Sequence, residues 1–150
     1  MAHQTDDSHA ARIDSLAREL RSLVGKLKRR LREQSGIGDL TPSQTAVLLR
    51  LEKDGPCTTS NLARAEGMRP QSMGTLVAAL ESAGLIAGAP DPNDGRQTIL
   101  SLTDACVKRI EEGRAARQDW LCHTIEARLS PAEWGQLAAA VTLLARLTDD

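Results

Sequence analysis

Apolar residues recur along the first part of the chain at steps of three, one and four: Ile13, Leu16, Ala17, Leu20, Leu23, Val24, Leu27 and Leu31. That period places them on one stripe of a helix over residues 10–34. The polar residues before it lack the period and are expected to fray. Gly36 and Gly38 are expected to stop the helix. Thr41-Pro42-Ser43-Gln44 then predicts a helix start: a threonine that caps, a proline whose missing N–H costs nothing, and a glutamine that bonds back to the cap. Val47, Leu48 and Leu51 form the buried side of this second helix, and Gly55-Pro56 ends it. Thr58 or Thr59 caps a short third helix carrying Leu62 and Ala63, closed by Gly67. A fourth begins near Pro70, buries Met73, Leu76, Val77 and Leu80, and stops at Gly84.

The pattern then changes. Leu85–Ala89 and Thr98–Leu102 are predicted strands, joined through Pro90-Asp91-Pro92-Asn93-Asp94-Gly95-Arg96-Gln97. This is a hairpin with a long polar tip, in which Gly95 can take a positive φ and the prolines keep the tip from pairing as sheet. Thr103 caps a fifth helix reaching Leu129 through Val107, Ile110, Trp120, Leu121 and Ile125. Ser130-Pro131-Ala132-Glu133 repeats the capping box, and the last helix carries Trp134, Leu137, Ala138, Val141, Leu144 and Ala145 at steps of three and one. The predicted fold is mainly α with a small β-hairpin wing. A winged helix-turn-helix lobe over residues 41–102 sits between long helices over 10–34 and 103–148, all in one domain.

The 150 residues suffice for one such domain and are too few for two large ones. Hydrophobic residues at 41% and charged residues at 26% set aside disorder and membrane insertion. No apolar run reaches membrane-spanning length, and the start has two acids where a secretory signal is basic and then apolar. The protein is therefore expected in the cytoplasm, with no membrane contact. With no Phe, no Tyr and only Trp120 and Trp134, the core must be aliphatic, and a surface that stacks bases on aromatic rings is excluded. Cys57, Cys106 and Cys122 form neither a disulfide framework nor a C-x-x-C motif, and His3, His9 and His123 are too scattered for a metal site. There is no Gly-rich phosphate loop and no nucleophile motif, so neither an enzyme nor a cofactor is expected.

The formal net charge of -1 hides an uneven distribution. Residues 10–34 hold eight bases against three acids, whereas residues 58–102 hold Arg64, Arg69 and Arg96 against Glu66, Glu81, Asp91 and Asp94. The fourth helix has a short, neutral outer face of Gln71, Ser72, Gly74, Thr75, Ala78 and Ser82, where a solvent-facing helix more often carries Lys and Glu. Such a face suits a major groove about 12 Å wide, and would also suit packing on another helix. In the groove Gln71 can pair with adenine, Ser72 and Thr75 can bond bases or phosphates, and Gly74 and Ala78 allow close approach. Arg69 and the free N–H groups of the helix start point to phosphate. On the tip, Arg96 beside Asp94 and Gly95 either enters a narrow minor groove or forms a solvated turn with an Asp–Arg pair.

Taken in order, Asn61-Leu62-Ala63, the run Met73-Gly74-Thr75-Leu76-Val77-Ala78-Ala79-Leu80-Glu81-Ser82-Ala83-Gly84-Leu85-Ile86, the tip Asp91-Pro92-Asn93-Asp94-Gly95-Arg96, and Leu102-Thr103 resemble the MarR family of winged-helix regulators, over almost the whole chain. The resemblance implies a homodimer in which the first, fifth and sixth helices interlock. Two winged helices would straddle a pseudo-palindromic double-stranded DNA operator, with half-sites about 34 to 36 Å apart. Repression by blocking polymerase is the usual outcome, although some members activate. The candidate DNA-binding set is Thr59, Arg69, Pro70, Gln71, Ser72, Gly74, Thr75, Asp94 and Arg96. The resemblance further implies release by a small lipophilic or aromatic effector bound between the dimerisation helices and the wing domain, or by cysteine oxidation. A pocket here would be aliphatic, with Trp120 on one wall.

Three features depart from the family pattern: Gly88 stands where an arginine usually precedes the wing, Cys106 where a glycine often follows the Leu-Thr cap, and residues 58–102 carry three bases against four acids; the cysteine that peroxide sensors of the family typically use, near the start of the first helix, is absent as well. Cys57 is the redox candidate, since a thiol just before a helix start would have its pKa lowered if exposed; against this stands the expectation of three small buried cysteines. The Lys26–Arg32 cluster is either a solvated face with an Arg29–Glu33 pair or a phosphate contact at the dimer centre. The weak basicity of residues 58–102 also leaves a rival function, a winged-helix dimer that binds protein. Salt dependence separates the two.

Overall fold

Capping chemistry sets most of the helix boundaries. A computed structural model describes residues 2–35 and 39–149, with side chains from Asp7 onward. It orders the elements as α1 (Ala2–Glu33), α2 (Pro42–Asp54), β1 (Cys57–Thr58), α3 (Thr59–Ala65), α4 (Pro70–Ser82), β2 (Ile86–Pro90), β3 (Thr98–Leu102), α5 (Asp104–Arg128) and α6 (Pro131–Ala145). At α2 the Thr41 hydroxyl accepts the Gln44 N–H at 3.2 Å while Gln44 Oε1 accepts the Thr41 N–H at 3.0 Å. Ser130 and Glu133 make the same reciprocal pair at the start of α6, and those bonds hold the Glu133 carboxyl below its usual range. Thr58, not Thr59, caps α3, with its hydroxyl accepting the Asn61 N–H at 3.2 Å.

The start of the chain departs from expectation. The stretch expected to fray is the beginning of α1, because no Gly or Pro interrupts the run from Ala2 to Val24 and an established helix propagates cheaply. Gly36 and Gly38, expected to end that helix, lie outside the described residues. Among the described residues no helix is long and apolar enough to cross a membrane.

The sheet has a third strand that the sequence pattern did not signal. Its order is β1-β3-β2, all antiparallel, with Cys57 opposite Leu100 and Thr58 opposite Ile99 on one side of β3. On the other side the register runs from Ile86 opposite Leu102 to Pro90 opposite Thr98. Pro90 is thus the last paired residue, tolerated because β2 is an edge strand. Leu85, expected to open that strand, instead donates its N–H to the Leu80 carbonyl at 3.0 Å and closes α4 around Gly84, whose φ is +73°.

The chain divides into two compact units, with breaks after Ser35 and after Arg114. In the central unit, Val47, Leu48 and Leu51 of α2, Leu62 and Ala63 of α3, and Met73, Val77 and Leu80 of α4 form one aliphatic core. Leu85, Ile86, Leu100, Cys106 and Ile110 complete it, while Leu76 is half-buried at its edge. Arg50 joins α2 to the end of α3 by pairing with Glu66 at 2.8 Å, and Arg114 pairs with Glu52 to fasten the first half of α5 to α2. The other unit holds α1, the rest of α5 and α6. There α6 buries none of its residues, and Trp134, Leu137, Val141, Leu143 and Leu144 are all exposed. On α1 Glu33 pairs with Arg30 at 3.8 Å rather than with Arg29.

Candidate nucleic-acid interface

The turn between α3 and α4 is built by Gly67, whose φ of +64° lets the Met68 N–H reach back to the Ala63 carbonyl at 2.8 Å. Arg69 is the N-cap of α4 and makes no side-chain cap bond; Pro70 follows as the first helical residue. The opening N–H groups of α4 therefore have no side-chain acceptor, which leaves the positive end of the helix dipole available to an anion. Met73, Val77 and Leu80 turn into the core, so Arg69, Pro70, Gln71, Ser72 and Thr75 are exposed together around the helix start. Thr75 donates its hydroxyl hydrogen to the Gln71 carbonyl at 3.2 Å, leaving its methyl and an oxygen lone pair for outside contact. Gly74 and Thr59 are half-buried rather than exposed.

The wing tip is held by its acids. Asp91 Oδ1 accepts the Asn93 N–H at 2.9 Å, and Asp94 Oδ1 accepts the Arg96 N–H at 3.1 Å. The Asp94 carboxylate thus fixes the backbone of Arg96 rather than pairing with its guanidinium. Arg96 is exposed, and no acid among the described residues pairs with it. Thr103 anchors the wing root: its hydroxyl donates to the Gly84 carbonyl at 2.7 Å and accepts the Cys106 N–H at 3.1 Å. One side chain thereby ties the end of α4 to the start of α5, which explains why Leu-Thr stands at this distance from the α4 motif.

Gly88 has a steric cause. A Cβ there would lie 2.7 Å from Thr98 Cγ2 and 3.3 Å from Glu81 Oε1. Any side chain at this position, arginine included, must displace the Thr98 methyl and meets an acid. No local pattern reveals this, because the contact is a diagonal one across β2 and β3 and reaches back to α4.

The cysteines differ from expectation. Cys122 is exposed, Cys106 is buried, and Cys57 lies in β1, half-buried against the core. Burial first, and then the nearby Asp54 carboxylate, push the Cys57 thiol up, while Arg50 opposes them only in part. The lowered pKa expected of an exposed thiol at a helix start is therefore absent: Cys57 directly precedes the α3 cap Thr58, but it is half-buried, and burial outweighs the helix dipole. Alkylation at mildly basic pH is expected to label Cys122 first, Cys57 more slowly and Cys106 last, as mass spectrometry of timed samples would show. Labelling of Cys57 ahead of Cys122 would overturn this order.

Comparison with known proteins agrees with this geometry. Residues 40–98 match the MarR family model. An HTH-type transcriptional regulator of Mycobacterium bovis is 34% identical over 135 residues, covering 90% of this chain and 94% of its own. The transcriptional repressor MdtR of Bacillus subtilis is 31% identical over 99 residues, covering 66% of this chain and 64% of its own. A crystal structure of a transcriptional regulator protein from Pseudomonas aeruginosa superposes with a TM-score of 0.73 at 37% identity, covering 89% of this chain and 94% of that one. The chain belongs to the MarR family of DNA-binding helix-turn-helix transcriptional regulators.

Proposed function

We propose that the protein is a homodimeric repressor that holds a pseudo-palindromic operator through α4 and the wing, and that a small lipophilic or aromatic effector releases it. The observation that carries this reading is the α4 start, where Arg69, Gln71, Ser72 and Thr75 are exposed beside N–H groups without a side-chain cap. Arg96, without an acid partner among the described residues and on a turn that Asp94 fixes, supports it. In this reading Gln71, Ser72 and Thr75 meet base edges, Gly74 and Pro70 let the helix come close, and Arg69 and Thr59 lie at phosphates. Asp94 acts by positioning Arg96. Repression follows where the operator overlaps a promoter, and the relative MdtR is itself a repressor. An effector acts by favouring one spacing of the two α4 helices over another.

The test is selection of bound sequences from a random duplex library, with the winner titrated at two salt concentrations. An enriched palindrome with a steep salt slope supports the reading, and absence of enrichment overturns it in favour of a protein partner. On that operator, Arg96→Ala is expected to weaken operator and random DNA alike. Gln71→Ala should instead lose about 1 to 3 kcal/mol of discrimination at one base pair. Equal losses on both DNAs for both variants would refute this division of labour.

A further inference from the structure

Six bases, Arg21, Lys26, Lys28, Arg29, Arg30 and Arg32, lie between Glu19 and Glu33 with no acid among them. A face that serves solubility alone interleaves both signs, and like charges at i,i+4 such as Lys28 and Arg32 weaken a helix. The chain as a whole is slightly acidic, so the cluster does not reflect a general excess of base. Among the described residues one of the six, Arg30, pairs with an acid, Glu33, while the Asp14–Arg18 pair lies outside the cluster. Arg21, Lys28 and Arg32 are exposed and share one side of α1 at i, i+7 and i+11. Gly25 falls between them on the same side, with nothing within 4 Å of where its Cβ would stand, so the row is unobstructed. Its cations are spaced about 10 Å and about 6 Å apart along the helix.

The winged-helix segment is the converse case. Residues 58–102 have one more acid than base, Glu81 lies over the position where the family's arginine is missing, and Asp91 and Asp94 flank the tip. A duplex carries a negative charge about every 1.7 Å of its axis, and binding it requires cations. We propose that Arg21, Lys28 and Arg32 of α1 form a second, sequence-independent phosphate-binding surface that supplies much of the attraction to DNA which the winged-helix segment lacks. The inference rests on the DNA-binding reading above.

The test compares four full-length proteins on one selected duplex of about 40 base pairs, with Kd measured across a salt series and dimer content checked for each. They are the wild type, the triple variant Arg21→Gln/Lys28→Gln/Arg32→Gln, the double variant Arg128→Gln/Arg146→Gln as a control for loss of positive charge outside that row, and Arg96→Ala. Each phosphate contact contributes about 0.9 to the slope of log K against log salt. The triple variant is expected to flatten the slope by about 2 or more and to weaken binding at low salt about ten-fold or more, while the double variant leaves the slope unchanged. A triple variant with the wild-type slope, beside an Arg96→Ala protein that loses affinity, overturns the inference and leaves the DNA-binding reading standing. Equal flattening by the double variant overturns it as well, since loss of positive charge outside the row then has the same effect. A wild type without salt-dependent binding removes both.

Discussion

Leu80→Ala is expected to lower the stability of the central unit by about 3 kcal/mol, a large part of the 5 to 15 kcal/mol typical of a domain. Leu80 has no exposed surface, and its side chain sits in the core that α4 shares with α2 and α3. Truncation removes its transfer energy and leaves a cavity that a core without aromatic rings has little means to fill. The position also closes α4, since the Leu80 carbonyl accepts the Leu85 N–H before the chain turns into β2. Loosening it therefore loosens the base of the wing. Urea unfolding followed by circular dichroism, at one fixed protein concentration, should show the midpoint falling by about 1 to 2 M with the slope unchanged. Leu49→Ala one helix away, at a residue 46% exposed, should cost about 0.5 kcal/mol or less. A Leu80→Ala cost below about 1 kcal/mol would contradict this account of the core.

Sequence patterning and structure agree most closely where local chemistry sets the answer. The capping boxes at Thr41 and Ser130 place the starts of α2 and α6, and Gly67 and Gly84 place the turns on either side of α4. β1 was not legible for the opposite reason: two residues have no period, and Cys57-Thr58 becomes a strand only because β3 offers it an edge. The expectation for the Cys57 thiol required exposure as well as a helix start, and burial against the core, which no local pattern shows, reverses it. In the candidate interface, Arg69, Gln71, Ser72 and Thr75 could be located from the helical period, since the opposite face had to be apolar. The role of Asp94 could not, because an Asp-x-Arg sequence allows either an ion pair or a backbone bond, and only the turn geometry selects the second. The tight contact at Gly88 likewise depends on Thr98 and Glu81, ten and seven residues away along the chain.

For the proposed homodimer, Val141→Asp is expected to leave a monomer at micromolar concentration and to lower operator affinity about a hundred-fold or more. Trp134, Leu137, Val141 and Leu144 lie along one side of α6, and Val141 is 57% exposed in the single chain. Leu16 and Leu23 of α1 are 65% and 62% exposed, so helices at both ends of the chain present apolar surface. So much exposed apolar surface calls for a covering partner, and a second copy can bury the same surfaces on both chains at once. A carboxylate placed there must be desolvated without a counter-ion when two copies meet, at a cost of several kcal/mol. In the separate chain it simply meets water, so the fold of each chain survives and helix content should be unchanged. A monomer engages one half-site and loses the gain from linking two, which sets the expected drop in affinity. Sedimentation equilibrium beside operator titration reads both effects. If Val141→Asp stays dimeric at micromolar concentration, this face of α6 is not the dimer contact; if it becomes monomeric with operator affinity intact, binding does not need two copies.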